Sequence, residues 1–101
     1  METVVTDVPA RKRFEITADG EFAGFAEYRD DGRTRIFTHT RVYSEFEGKG
    51  VGGELARGAL DEARSAGRSI VPLCPFIAHF VTENPEYGDL VDTKRYDELR
   101  Y

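Results

Sequence analysis

Four glycines fall within six residues, at Gly48, Gly50, Gly52 and Gly53, in the run Val42-Tyr43-Ser44-Glu45-Phe46-Glu47-Gly48-Lys49-Gly50-Val51-Gly52-Gly53. Glycines packed just ahead of a helix leave main-chain N–H groups uncovered, and the helix terminus adds partial positive charge. Together they suit a phosphate or pyrophosphate, with Lys49 placed to neutralise part of its charge. The alternative is a tight loop whose glycines only relieve crowding; so many of them at a helix start argue against it. Cys74, the sole cysteine, directly precedes Pro75, which suits the first turn of another helix. A thiol beside a helix terminus is a candidate nucleophile for acyl transfer, or else a small buried hydrophobe. His39 offers an imidazole able to act as general base, or a hydrogen-bonded structural residue. His79 reads as a surface residue. Two histidines and one cysteine fall short of any zinc spacing, so no metal site is expected.

Two familiar phosphate loops fail on this stretch. A Walker A loop requires Ser or Thr after its lysine, and Gly50 follows Lys49. A dinucleotide fingerprint matches formally at Gly48, Gly50 and Gly53. It also needs a strand directly before the loop and an acid ending the next strand, whereas the next strand here ends in Cys74.

These residues need elements to hold them. Phe14 and Ile16 alternate with Arg13, Glu15 and Thr17, the period of a half-buried strand over residues 12–17. Asp19-Gly20 supplies turn chemistry. A second strand covers 21–28, with Phe22, Gly24, Ala26 and Tyr28 on one face, and a third covers 33–39. In the third, Ile36 and Phe37 point to opposite faces, which predicts cover on both sides. Leu55, Ala56, Ala59, Leu60 and Ala63 then recur at helical spacing, with Gly67 as the stop. Gly58 weakens that helix by up to about 1 kcal/mol relative to Ala, a cost its packing must offset. Residues 69–73 read as a buried strand and 76–82 as a short helix stopped before Asn84-Pro85. A strand–helix–strand crossover after an antiparallel meander predicts a mixed α/β sheet whose last strand runs parallel to the third. Residues 1–10 read as a loose lead-in ending at Pro9, and the polar tail Asp92–Tyr101 receives no assignment.

Composition narrows the class. The 101 residues are 40% hydrophobic with twelve Phe or Tyr, enough for one modest core. A net charge of -5 leaves no basic footprint for nucleic acid, and the cluster Arg11-Lys12-Arg13 reads as solvated strand flank. No apolar run approaches the ~20 residues of a spanning helix, and the N-terminus lacks signal-peptide character, so neither nucleic acid nor membrane is expected as a partner. One cysteine suits a reducing compartment, and the cytoplasm is the expected location.

The glycine stretch resembles the acetyl-CoA loop of the GNAT acyltransferase superfamily, Gln/Arg-x-x-Gly-x-Gly/Ala, at Gly50 and Gly52 with Val51 between them. Glu47 stands where that superfamily prefers Gln or Arg, so its side chain should point away from a pyrophosphate. Pro72-Leu73-Cys74-Pro75-Phe76, Phe80, Pro85-Glu86-Tyr87 and Leu90-Val91 further resemble its small stand-alone branch, sometimes called the YjdJ type. Asn84 departs from the His usual before Pro-Glu-Tyr, while a glutamate at the Glu47 position is common in that branch.

The resemblance covers residues 14–91 and implies a minimal GNAT fold: one domain over 1–101, core 12–91, an antiparallel meander followed by a strand–helix–strand–helix unit. It implies an N-acetyltransferase that moves an acetyl group from acetyl-CoA to an amine acceptor. The cofactor would lie in a gap between the third and fourth strands. Thr40, Val42, Glu47, Gly48, Lys49, Gly50, Val51, Gly52, Gly53, Cys74, Phe76, Phe80 and Tyr87 would then contact it. Phe76 and Phe80 would pack on the pantetheine arm or simply fill the core, and Tyr87 would touch cofactor or acceptor. Cys74 would relay the acetyl group, and His39, across the gap, would serve Cys74 or the amine as base. A non-catalytic acyl-CoA carrier or sensor is the rival reading, because the chain lacks room for the extra helices and strands that shape an acceptor pocket in full-length members. A purely structural interaction domain leaves the glycine loop unexplained.

Overall fold

A computed structural model describes residues 1–100 of the chain; Tyr101, the end of the unassigned tail, lies outside the described residues. The strands are β1 (Thr3–Val8), β2 (Arg13–Ala18), β3 (Glu21–Asp31), β4 (Thr34–Val42) and β5 (Ser69–Pro72). The helices are α1 (Val51–Ser65), α2 (Pro75–Glu83) and α3 (Thr93–Leu99). The sheet order is β1-β2-β3-β4-β5, antiparallel as far as β4, with β5 parallel to β4. This is the expected mixed sheet with one more strand at its start.

That extra strand corrects the reading of residues 1–10 as a lead-in. The β-branched run Thr3-Val4-Val5-Thr6 pairs with β2 along its whole length, and Pro9 begins a 3₁₀ turn rather than ending a loose segment. The strand explains Gly58. A Cβ at Gly58 would fall 2.8 Å from Cβ and Cγ1 of Val5, so the glycine lets α1 lie close on β1. The tail also folds. Asp92 caps α3, its side chain accepting from the Arg95 N–H at 3.1 Å, and Arg95 pairs with Asp31 at 2.6 Å.

α1 lays Val51, Leu55, Ala56, Ala59, Leu60 and Ala63 on one face of the sheet, against Phe14, Ile16, Ala26 and Phe37. Ile36 and Val71, paired in register, turn the other way and are also buried, while α3 packs against β5. Cover on both faces of β4 is as its apolar pattern predicts.

Two bulges break the regular alternation. Ile16 pairs with Gly24 and Thr17 with Phe22, so Ala23 is an extra residue in β3. Ala23 is buried while Phe22 turns out to solvent at 40% exposure, which corrects the placing of Phe22 on one face with Gly24, Ala26 and Tyr28. In β4, Tyr28 pairs with Phe37 and Glu27 with His39, so Thr38 is the extra residue. A bulge reverses which way the following side chains point.

Arg35 ties α1 to the sheet. It is buried, donates to both oxygens of Asp30 and to Glu62, and lies over the Tyr28 ring. This bonding, led by the hydrogen bonds to Arg35, holds the Asp30 carboxyl below the ordinary 3.8.

Two outcomes follow from this packing. Gly58→Ala should lower stability by about 1–2 kcal/mol in a urea melt, because the clash with Val5 exceeds the helix-propensity gain of up to about 1 kcal/mol. Asp30 contributes stability above its ordinary carboxylate value and loses it as pH falls through its depressed one. Asp30→Asn should therefore be less stable than wild type at neutral pH, and the difference should shrink on acidification, measured by urea melts at both ends.

Candidate functional site

The parallel pairing of β4 with β5 is short. It runs from Thr34 opposite Ser69 to Phe37 opposite Pro72, and the last link is the Cys74 N–H donating to the Phe37 carbonyl at 3.0 Å. Pro72 has no N–H to extend the ladder, Leu73 turns its own back to Val71 at 3.1 Å, and Pro75 starts α2. β4 meanwhile continues to Val42. A gap opens between the second half of β4 and the start of α2.

Thr40 and Cys74 meet across the gap. The Cys74 Sγ donates to Thr40 Oγ1 at 3.2 Å, and Cys74 is buried. His39 does not join them. The bulge at Thr38 turns it to the opposite face of the sheet, where it is exposed and its ring edge meets Phe25 at 5.9 Å. A base–thiol pair between His39 and Cys74, expected from their positions at two strand ends, is therefore corrected.

From Val42 the chain passes through a 3₁₀ turn (Ser44–Phe46) into the glycine loop. Gly48 and Gly50 take φ of 77° and 78°, a left-handed conformation that costs any L side chain strain. Gly50 is also the N-cap of α1 and offers no side-chain acceptor to the first turn, leaving its N–H groups free for an anion. Beside them lies a cavity of about 140 Å³ lined by Val42, Phe46, Glu47, Gly48, Gly52 and Phe76, among others. Gly52 is required by closeness: a Cβ there would fall 2.6 Å from Phe76 Cζ. Lys49 is exposed at the loop tip, as is Glu47.

The aromatics divide. Phe76 is 41% exposed at the cavity, so it is not a core residue. Phe80 is partly buried against the core, with its Cε1 3.9 Å from where a Gly53 Cβ would stand and its ring 6.0 Å from Tyr87. Tyr87 is buried, and its hydroxyl donates to Asp61 at 2.6 Å and accepts from Arg57 at 3.2 Å. Burial and the Asp61 carboxylate raise its pKa. It is not among the residues that line the cavity, and its hydroxyl braces α1 against the segment after α2. His79 lies exposed, 3.7 Å from Glu83. Phe46 is a lining residue that the site reading passed over, and its signal was an aromatic two places ahead of Gly48.

A sheet edge open beside a helix N-terminus can hold an extended, amide-bearing arm along β4 and its phosphates at the loop. The chain belongs to the GCN5-related N-acetyltransferase family, whose family model matches residues 13–90. Its fold is similar to the solution structure of a GCN5-like protein from Staphylococcus aureus. That likeness has a TM-score of 0.68 at 24% identity, over 87% of this chain and 86% of the other.

The bracing role of Tyr87 is testable. Tyr87→Phe should cost about 0.5–1.5 kcal/mol in a urea melt by removing the hydroxyl's hydrogen bonds to Asp61 and Arg57. It should leave any acetyl-transfer rate within about twofold at a temperature where the variant is folded, whereas loss of a catalytic acid costs on the order of 10²-fold or more.

Proposed function

We propose that this chain is an acetyl-CoA-dependent N-acetyltransferase acting on an amine, with transfer made directly across the gap between β4 and α2. The observation that carries the reading is the early end of the β4–β5 ladder beside an uncapped glycine-rich helix start. The fit to acetyl-CoA rests on three local features. Loop glycines at positive φ leave N–H groups free for the pyrophosphate. Lys49, without an ion-pair partner among the described residues, adds charge. The open side of β4 offers main-chain groups to the pantetheine amides.

Acetyl-CoA supplies an acetyl group activated as a thioester. The chain's own residues would bind, orient and move the proton. The bulge at Thr38 releases that residue from the β3 ladder, so main-chain groups around it can polarise a carbonyl lying in the gap. Thr40 and Cys74 close the inner side of the gap and exclude water. An amine arriving from the outer face meets His39, which is accessible there to accept its proton. Direct transfer is favoured over a relay, since the partner of Cys74 is a threonine hydroxyl and the imidazole stands on the other face. The net charge of -5 favours a cationic acceptor.

The test compares wild type, His39→Ala and Cys74→Ala with acetyl-CoA, using spermidine as the amine probe. All three should gain thermal stability, since ligand at about 100 Kd contributes about 2.7 kcal/mol. His39→Ala should lose on the order of 10²-fold in kcat, and Cys74→Ala should retain turnover. An acetyl group gained by wild type and absent from Cys74→Ala by intact mass would replace direct transfer with the relay. Binding without transfer to spermidine or to amine-bearing protein would favour the carrier reading. Absence of any thermal shift would overturn acetyl-CoA use altogether.

A further inference from the structure

A second cavity, of about 440 Å³ against about 140 Å³ at the glycine loop, is built at the other end of α1. Glu62, one of its walls, lies eleven residues beyond Val51, about 16 Å along the helix axis. Its volume falls in the range of roughly 300–1,000 Å³ usual for small-molecule sites.

The floor is Arg35, 4% exposed. Its Nε and Nη2 donate to the two Asp30 oxygens at 2.8 and 2.9 Å, and its Nη1 donates to Glu62 Oε2 at 2.9 Å. The guanidinium lies 3.9 Å from the Tyr28 ring centre. The Tyr28 hydroxyl donates to Asp7 Oδ1 at 2.6 Å, and burial with this bond pushes its pKa up to about 12, so the phenol stays neutral. Two carboxylate oxygens are left over. Asp7 Oδ2 stands 4.0 Å from Arg35 Nη1, beyond hydrogen-bond reach, and Glu62 Oε1 accepts no hydrogen bond among the described residues.

The mouth has the opposite surplus. Lys12 and Arg29 are exposed cavity residues, and neither side chain has an ion-pair partner among the described residues. Lys12 is nonetheless fixed in place: it holds a left-handed φ of 54°, its N–H donates to Pro9 at 3.0 Å, and its carbonyl accepts from Tyr28 at 3.0 Å. Arg68, the remaining cation, is already engaged with Gly32 and Asp30. Asp7, Asp30 and Glu62 are thus offset by Arg35 and Arg68 only in part, leaving one negative charge inside and two positive charges at the mouth. A cross-link between α1 and the sheet would not by itself need open space above a buried arginine, since packed apolar residues serve that purpose as well.

We propose that this cavity binds an acidic amino acid, its ammonium held by Asp7 and Glu62 and its two carboxylates by Lys12 and Arg29. The site stands apart from the gap and takes a second ligand, not the acetyl acceptor.

The experiment is a titration of the ¹⁵N-labelled full chain with L-glutamate, compared with glutarate, which lacks the ammonium. Saturating amide shifts should appear at Asp7, Lys12, Arg29 and Glu62 with L-glutamate. Glutarate should bind about tenfold more weakly, the loss expected for one charge-assisted contact. Lys12→Gln, an exposed change that leaves Arg35 and its partners intact, should weaken L-glutamate binding by a similar factor while the spectrum stays that of a folded chain. Three results would overturn the proposal: no saturating shift at those amides, equal binding of glutarate and L-glutamate, or no effect of Lys12→Gln.

Discussion

The structure depends on where the parallel ladder between β4 and β5 stops. A parallel pair is normally extended by alternating N–H donors, and Pro72 cannot give one. With Leu73 folded back on Val71 and Pro75 committing the chain to α2, the donor left for β4 is Cys74, which reaches Phe37. Everything on β4 beyond Phe37 on that side is left without a strand partner. The glycine loop and the start of α1 are then bound to flank the opening, because β4 runs straight into them. A β5 two residues longer would seal the gap and leave the helix terminus facing only solvent.

The elements around the gap were legible because their signals are local. Period-two alternation gave β2, β3 and β4, helical spacing gave α1, and Pro75 gave the start of α2. The glycine loop was legible for the same reason, since left-handed backbone and close approach both demand glycine itself. β1 was hidden because it is an edge strand that buries little more than Val5 against α1, and that contact shows only once Gly58 is seen beside it. α3 was hidden by its polarity; Asp92 as cap and the long-range pair of Arg95 with Asp31 hold it, rather than an apolar stripe.

The bulges were illegible for a deeper reason. A bulge is a property of two strands, and neither Ala23 nor Thr38 carries a mark in its own segment. Yet each puts the residues on its two sides out of step. Ala23 sends Phe22 to solvent, and Thr38 parts His39 from the face that holds Phe37 and Cys74. Residue types at the gap could thus be read while their mutual geometry could not. Tyr87 shows the same limit. Its motif is local, but its partners Asp61 and Arg57 lie 26 and 30 residues away on α1, and they decide that its hydroxyl is spent on bracing.

The outer face of β2, β3 and the end of β4 has a solution of its own to missing cover. Instead of a helix, arginines lie on the aromatic rings: Arg13 at 4.6 Å from Phe25 and 5.5 Å from Phe22, and Arg41 at 5.0 Å from Tyr43. The guanidinium groups themselves lie over the rings, and that of Arg13 also donates to Glu15 at 2.8 Å. His39 sits at the border of this layer, against Phe25. Such cover is thin, and it leaves the imidazole reachable from solvent along a broad face rather than through a closed pocket. On the proposed reading, recognition of the amine then falls to surface residues around His39. Selectivity among amines would come from charge and from the shape of the partner, since His39 lies exposed on an open face of the sheet.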